Sequence, residues 1–277
     1  MTQPALPKIE LEEGEALVLR TCNQDGTSYL GFQWPKAGPV AAPDWKPVAE
    51  CGHGLHGLLW GQGGGELLNW SSPAWLVVRV RLKDVVTIDE DAVKFPASTV
   101  EYFGECQTAL DLMAAHAPSG TVIVGRTITS GANGKSVSGY CGTATSGDGG
   151  QSVSGDGGTS VSGNRGQSTS GERGMSVSGV CGVSVSGMYG TSVSESCGIS
   201  VSGGHGLSTS GLGGAAASGV SGCISIFYWQ GPKYRRAVFA VGENGIEPNT
   251  PYQVDEQGRP VKVTADIRIA SLAPMTK

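Results

Sequence analysis

The sequence predicts a mainly β protein built on a central β-solenoid, and three observations carry that prediction. From Thr127 to Gly222 the chain repeats G-x-x-G-x-S-x-S on an eight-residue period, with no insertion over twelve units. The slot between the two serines is reserved for a branched residue, as in Val153, Val161, Val177 and Val193. The tract is charge-neutral and glycine-rich, whereas the first 120 residues hold five of the six tryptophans among runs of leucine and valine. One octapeptide cannot bury a core alone, so a period held in phase implies a stack in which each unit is stabilised by its neighbours. A flexible glycine-serine linker has no reason to keep phase.

Residues 1–120 form a small α+β domain of their own. A polar lead-in over 1–14 precedes a strand at Ala16 to Thr21, and Asp25-Gly26 turns the chain into Tyr29 to Trp34 as a hairpin. Pro35 to Pro47 carries four prolines and is an extended surface connection. Trp75 to Leu82 alternates as a strand, with Val78, Val80 and Leu82 on one face and Arg79 and Arg81 on the other. Val85 to Ile88 and Thr99 to Phe103 are further strands, and Glu105 to Ala115 is a helix that Pro118 stops. Thr121 to Val124 is β-branched and feeds the repeat without a linker.

Residues 121–226 are the solenoid. Paired glycines around two variable residues are turn chemistry, and the alternating residues between them make a short strand. Eight residues are too few to close a coil, so the units pair into about six sixteen-residue coils of two strands and two turns. At about 4.8 Å per coil the rod is roughly 25 to 30 Å long. Alternation puts the serines on one side and the valine slot on the other; with valine as the apolar partner, the valines are expected inside and the serines outside. The slot two residues earlier then also faces in, and its change from Lys135, Gln151 and Gln167 to Val183, Ile199 and Leu207 implies a wetter front end. Cys181 and Cys197, sixteen apart, should stack on one edge, and Arg173, Tyr189 and His205 on the other. Ile128 at the start and Ile224 and Ile226 at the finish replace serines and mark capping coils. Residues 227–277 form a C-terminal β cap, with a hairpin around Gly231-Pro232, strands at Tyr252 to Val254 and Val261 to Val263, and a disordered last stretch.

Charge and cysteine content narrow the function classes. The net charge of −5 comes from an acidic front, a neutral repeat and a slightly basic tail. A solenoid that imitates DNA needs rows of carboxylates, and Asp148, Asp156, Glu172 and Glu195 are too few. An odd number of cysteines, seven, with no leader before them, implies reduced thiols and a cytoplasmic protein. No apolar run reaches the roughly 18 residues of a membrane helix.

Three sets of residues are candidates for a site. The outward serine rows Ser152, Ser154, Ser160, Ser162, Ser168, Ser170, Ser176 and Ser178 would form a flat binding surface. Lys233, Arg235 and Arg236 are the basic cluster of the tail and surround Tyr234; a solvated hairpin face is the simpler account, so nucleic acid is not the expected partner. Cys51, His53 and His56 could supply three zinc ligands, or Cys51 and His56 a nucleophile and base. The alternative is a tight glycine-shaped loop with a bonded histidine. No oxyanion hole or orienting carboxylate is placed by the sequence, and the reading leans away from an enzyme and from a required cofactor.

The repeat resembles the β-solenoid of bacterial ice-nucleation proteins, whose sixteen-residue coils are two eight-residue halves; the matching columns read Ser176-Val177-Ser178 and Ser208-Thr209-Ser210. The whole chain resembles an uncharacterised family of phage and bacterial proteins in which a C-G-x-G-L-H front motif precedes octapeptide repeats and an E-x-G-I-x-P-x-x-x-Y-x-V tail follows them, matched by Cys51 to Trp60 and by Glu243 to Val254. The resemblance implies the fold and no activity. The leading expectation is a non-enzymatic scaffold or binding protein with a protein partner or a second copy of itself, a homodimer, and a phage-related host-interaction or counter-defence role. One alternative is an enzyme or metal protein using Cys51 to His56. The second is ice binding, which serine rows serve poorly because they lack the threonine methyl; Thr127-Ile128-Thr129 and Thr143-Ala144-Thr145 stand outside those rows.

Overall fold

The computed structural model describes residues 6–65, 67–89 and 92–263. The front half is a seven-stranded sheet with β1 (Glu15–Cys22) at its centre, followed by β2 (Gly38–Ala41), β3 (Leu55–Leu59), β4 (Ala74–Arg81), β5 (Val86–Asp89), β6 (Ala92–Phe95) and β7 (Ala97–Gly104). Its order is β2-β7-β4-β1-β3-β6-β5, with antiparallel pairings throughout. The helix α1 (Cys106–His116) covers one face, where Leu110, Leu112 and Met113 pack on Leu17, Leu19 and Val77. The other face buries Val18, Trp34, Leu76, Val78 and Phe95. Both faces of β1 and β4 are therefore apolar, as a central strand between two cores requires.

The hairpin predicted from Ala16 to Trp34 does not form. β1 pairs with β3 and β4, while Tyr29–Gly31 is a single helical turn with Leu30 in the left-handed region, φ 57°. Ile123 and Val124 leave the front domain's core directly for the first coil, where Gly139 N–H donates to the Ile123 carbonyl (3.2 Å).

The repeat is a solenoid of about six coils, and its register is sixteen residues at every rung: Thr159 pairs with Met175, and Gln167 with Val183. Odd and even half-coils stack into two separate parallel sheets, each continued at the C-terminal end by antiparallel strands. The turns hold a left-handed residue between the glycines, including Arg165 (φ 55°), Cys181 (φ 57°) and Tyr189 (φ 58°). A Cβ on Gly187 would lie 2.7 Å from the Glu172 nitrogen and 2.8 Å from the Gly171 carbonyl carbon, so stacked coils leave that column no room for a side chain.

The faces are the reverse of those expected. The serines point inward: Ser152, Ser160, Ser168 and Ser176 are all at most 1% exposed, and Ser154, Ser162, Ser170 and Ser178 at most 4%. Ser176 Oγ lies 2.5 Å from the Val185 carbonyl on the opposite sheet and 2.9 Å from Ser170 Oγ. The same pair of bonds recurs at Ser160, to Thr169 O (2.6 Å) and Ser154 Oγ (2.8 Å), and at Ser184, to Val193 O (2.6 Å) and Ser178 Oγ (2.9 Å). A hydroxyl has one proton; donated to the carbonyl, it leaves the serine pair to be closed by the second serine's proton. The cause of the reversal is size. Two four-residue strands joined by tight turns enclose too little width for facing valines, and serine fills the gap while satisfying its own oxygen. Valine and threonine stack outside on the sheet surfaces, where branched side chains pack along the rungs.

The C-terminal cap is as its isoleucines indicate, whereas Ile128 at the start of the stack is only partly buried. Ile224 and Ile226 occupy serine positions in the interior and pack with Ala216, Val241, Ile246 and Tyr252. Cys223–Gln230 and Lys233–Ala240 form the antiparallel hairpin, and Tyr252–Val254 pairs with Pro260–Lys262. The last residues, expected to be disordered, lie outside the described residues.

Candidate functional site

Turning the serines inward brings a different set of residues to the surface. On the sheet that begins with Thr127–Thr129, each rung presents two outward side chains: Thr127 and Thr129, Thr143 and Thr145, Thr159 and Val161, Met175 and Val177, Thr191 and Val193, Leu207 and Thr209. The pairings hold these in two straight columns without a register slip. Both columns are uncharged, and most members carry a methyl next to a hydroxyl or a second methyl. The opposite sheet differs, with Lys135, Gln151 and Gln167 exposed in its outer column before Val183 and Ile199. The two threonine motifs that fall outside the serine columns thus lie on the outward face. Alternation alone separates the two sides; the signal missed is that the inner side chain must be the smaller one.

The turn ladders run along both edges. Tyr189 and His205 stack with ring centroids 5.0 Å apart and planes 9° from parallel. Cys181 and Cys197 occupy equivalent left-handed positions on adjacent coils, both exposed. Asp148 Oδ1 accepts from the Asn164 N–H (2.7 Å) and Asn164 Oδ1 from the Val180 N–H (2.9 Å), so side chains also tie one coil to the next.

The basic cluster of the tail is divided by its strand. Arg236 pairs across the hairpin with Phe227 and holds its guanidinium 5.9 Å from that ring, with Nε donating to Ser225 Oγ (2.5 Å). Lys233 and Arg235 alternate to the other side, opposite Gln230 and Tyr228. On the Arg236 side, Tyr234 stacks on Phe227 (5.1 Å) and meets the edge of Trp229 (5.3 Å); Trp229 and Tyr234 are each half exposed.

In the front domain, Cys51 and His53 lie on one loop and His56 on β3 just after it, and the three do not converge. Among the described residues no group of three or more His, Cys, Asp or Glu is placed to hold a metal ion. Cys51 is exposed, His53 Nδ1 lies 3.4 Å from Asp44 Oδ2, and His56 Nε2 accepts from the Gly52 N–H (3.2 Å). Burial, then the charges of Arg20 and Lys94, hold the His56 imidazole below its ordinary pKa. Lys94 is fully buried beneath this loop and donates to the carbonyls of Glu50 (2.8 Å) and Gly52 (3.1 Å). Sequence reasoning passed over it, since a lysine in the short strand Ala92–Phe95 reads as a solvent-facing residue.

Residues 16–114 match a family described as "Domain of unknown function (DUF7666)", which lies inside the predicted 1–120 domain. The chain is 40% identical over 104 residues to an ice nucleation protein of Xanthomonas campestris pv. translucens, covering 37% of this chain and 7% of the relative. It is 35% identical over 102 residues to one from Pseudomonas fluorescens (36% and 8%), and 32% identical over 108 residues to ice nucleation protein InaU of Pantoea ananas (38% and 10%). The chain therefore spans a tenth or less of the length of these relatives. No solved structure matches it. The solenoid is an ice-nucleation-like repeat.

Proposed function

We propose that the chain is a repeat scaffold whose threonine and valine face binds ice. The observation that carries this reading is the pair of outward columns from Thr127 and Thr129 to Leu207 and Thr209, uncharged and in register on one parallel sheet. Such a surface holds methyl groups and hydroxyls at fixed intervals of about 4.8 Å along the stack. It is rigid, so ordering water costs the protein little side-chain entropy. The similarity to proteins named for ice nucleation supports the same reading. About six coils form a small patch, and the expected activity is adsorption to a growing crystal rather than templating a new one.

Ice grown slowly in micromolar protein tests this under the microscope. Wild type should give faceted crystals and Val161→Lys, at the centre of the face, round discs, with the circular dichroism of both unchanged. Round discs with wild type would refute ice binding.

A second reading, a protein-binding scaffold in a host-interaction role, is favoured by Phe227, Trp229, Tyr234 and Arg236 at the end of the same face. Exposed aromatic and arginine side chains of this kind anchor protein interfaces. Unaltered crystals together with a partner captured by wild type and lost with Trp229→Ala would favour it.

A further inference from the structure

A feature that the solenoid face does not use lies in the front domain. A cavity of about 790 Å³ opens between the Tyr29–Gly31 turn, the loop around Cys51 and β3. That volume is within the range of small-molecule sites, about 300 to 1,000 Å³. Leu30, Phe32, Leu55 and Leu67 supply apolar wall, and Tyr29 and Leu30 stand on the lip 87% and 89% exposed. Leu30 is held there by a left-handed backbone that disfavours a leucine.

One cation reaches into this apolar space. Arg20 stacks over Trp34, with its guanidinium carbon 4.1 Å from the ring centroid. Its Nη1 donates to the His56 carbonyl (3.0 Å), and Nε and Nη2 reach the Thr21 carbonyl (both 3.4 Å). An arginine has five N–H groups, so two are unused by the described residues. Burial pulls its pKa down to about 10, which leaves it charged at neutral pH. Among the described residues neither Arg20 nor the buried Lys94 behind the loop is paired with a carboxylate; both rest on carbonyl dipoles. Among the described residues Asp44 is the one acidic side chain lining the cavity, and it lies at the partly exposed rim with His53. Desolvated positive charge without a counter-ion favours an anion in the adjoining space, and the same charge disfavours a metal ion.

We propose that this cavity binds a small organic anion, its acidic group on the free N–H edge of Arg20 and its apolar body against Leu30, Phe32 and Leu55. Carboxylate and phosphate groups suit the planar guanidinium edge. The apolar wall selects against an inorganic ion, which leaves it unused.

Anilinonaphthalene sulfonate, an anion on an aromatic body, is a suitable probe of the full-length chain. Fluorescence titration should show one saturable site per chain, with benzoate competing and inorganic phosphate not competing at equal concentration. Leu30→Asp on the exposed lip should weaken binding about tenfold or more, as should Arg20→Gln, equivalent to losing one charge-assisted contact. Val161→Lys on the solenoid should change nothing, which separates this site from the ice-binding face. Cys51 lines the cavity, so in a Cys181→Ser, Cys197→Ser background its alkylation should slow when the probe is bound. Absence of a saturable site overturns the proposal. So does binding that Leu30→Asp leaves unchanged while Cys51 stays unprotected, or phosphate competing as well as benzoate.

Discussion

Replacing Ser176 by alanine isolates the inner serine row. Ser176 is fully buried, and its oxygen makes two contacts: the Val185 carbonyl at 2.5 Å and Ser170 Oγ at 2.9 Å. A neutral hydrogen bond contributes about 1 kcal/mol net, and a buried partner left unsatisfied costs about 1 to 3 kcal/mol. Here the Val185 carbonyl loses a donor and Ser170 Oγ loses its hydrogen bond to Ser176, so the expected destabilisation is about 2 to 3 kcal/mol. Were the serines outside, the same change would fall within about 0.5 kcal/mol, as for ordinary surface substitutions. Urea denaturation followed by circular dichroism reads the difference. Hydrogen exchange over residues 175–186 localises it, because stacked repeats can open in part. A loss below about 0.5 kcal/mol with unchanged exchange would refute the inward placement.

Gly187→Ala places a Cβ against the backbone of Glu172 and Gly171, and should cost about 1 to 3 kcal/mol by overpacking, read as a lowered urea midpoint. In the front domain, the Glu15 carboxyl is held below its ordinary range chiefly by the Glu12 N–H, and further by Arg79 at 3.0 Å. A pKa depressed by folding contributes stability above the unfolded value of about 4.3, lost as pH falls through the folded value. The urea midpoint of wild type should therefore exceed that of Glu15→Gln at neutral pH, and the gap should shrink below about pH 4.

Phase made the solenoid legible. Twelve units without an insertion dictate the sixteen-residue register seen at every rung and the Tyr189–His205 stack, and the isoleucines that break the serine pattern mark the C-terminal cap. The faces were not legible from polarity, because the enclosed width is set by the turns and strand length, and there serine wins over valine on volume. That reversal removes the serine rows as a binding or dimer surface; two copies that pair along their rods would use the threonine face or the apolar stretch around Val183 and Ile199. In the front domain, Ala16 to Thr21 and Glu105 to Ala115 sit within a residue or so of β1 and α1, since both carry strong local patterns. Tyr29 to Trp34 failed because long-range pairing of β1 with β3 and β4 outcompeted the adjacent segment. The cavity at Arg20 was invisible, as its parts come from five separate stretches of chain.

The most direct test of the inverted solenoid uses two neighbours on one strand, Ser160 and Val161. Each is replaced by cysteine, and alkylation at that position is followed by peptide mass spectrometry of the native protein. The account predicts that Val161→Cys reacts at the rate of an exposed thiol, while Ser160→Cys reacts only after unfolding. Rapid labelling of Ser160→Cys with protection of Val161→Cys would contradict it.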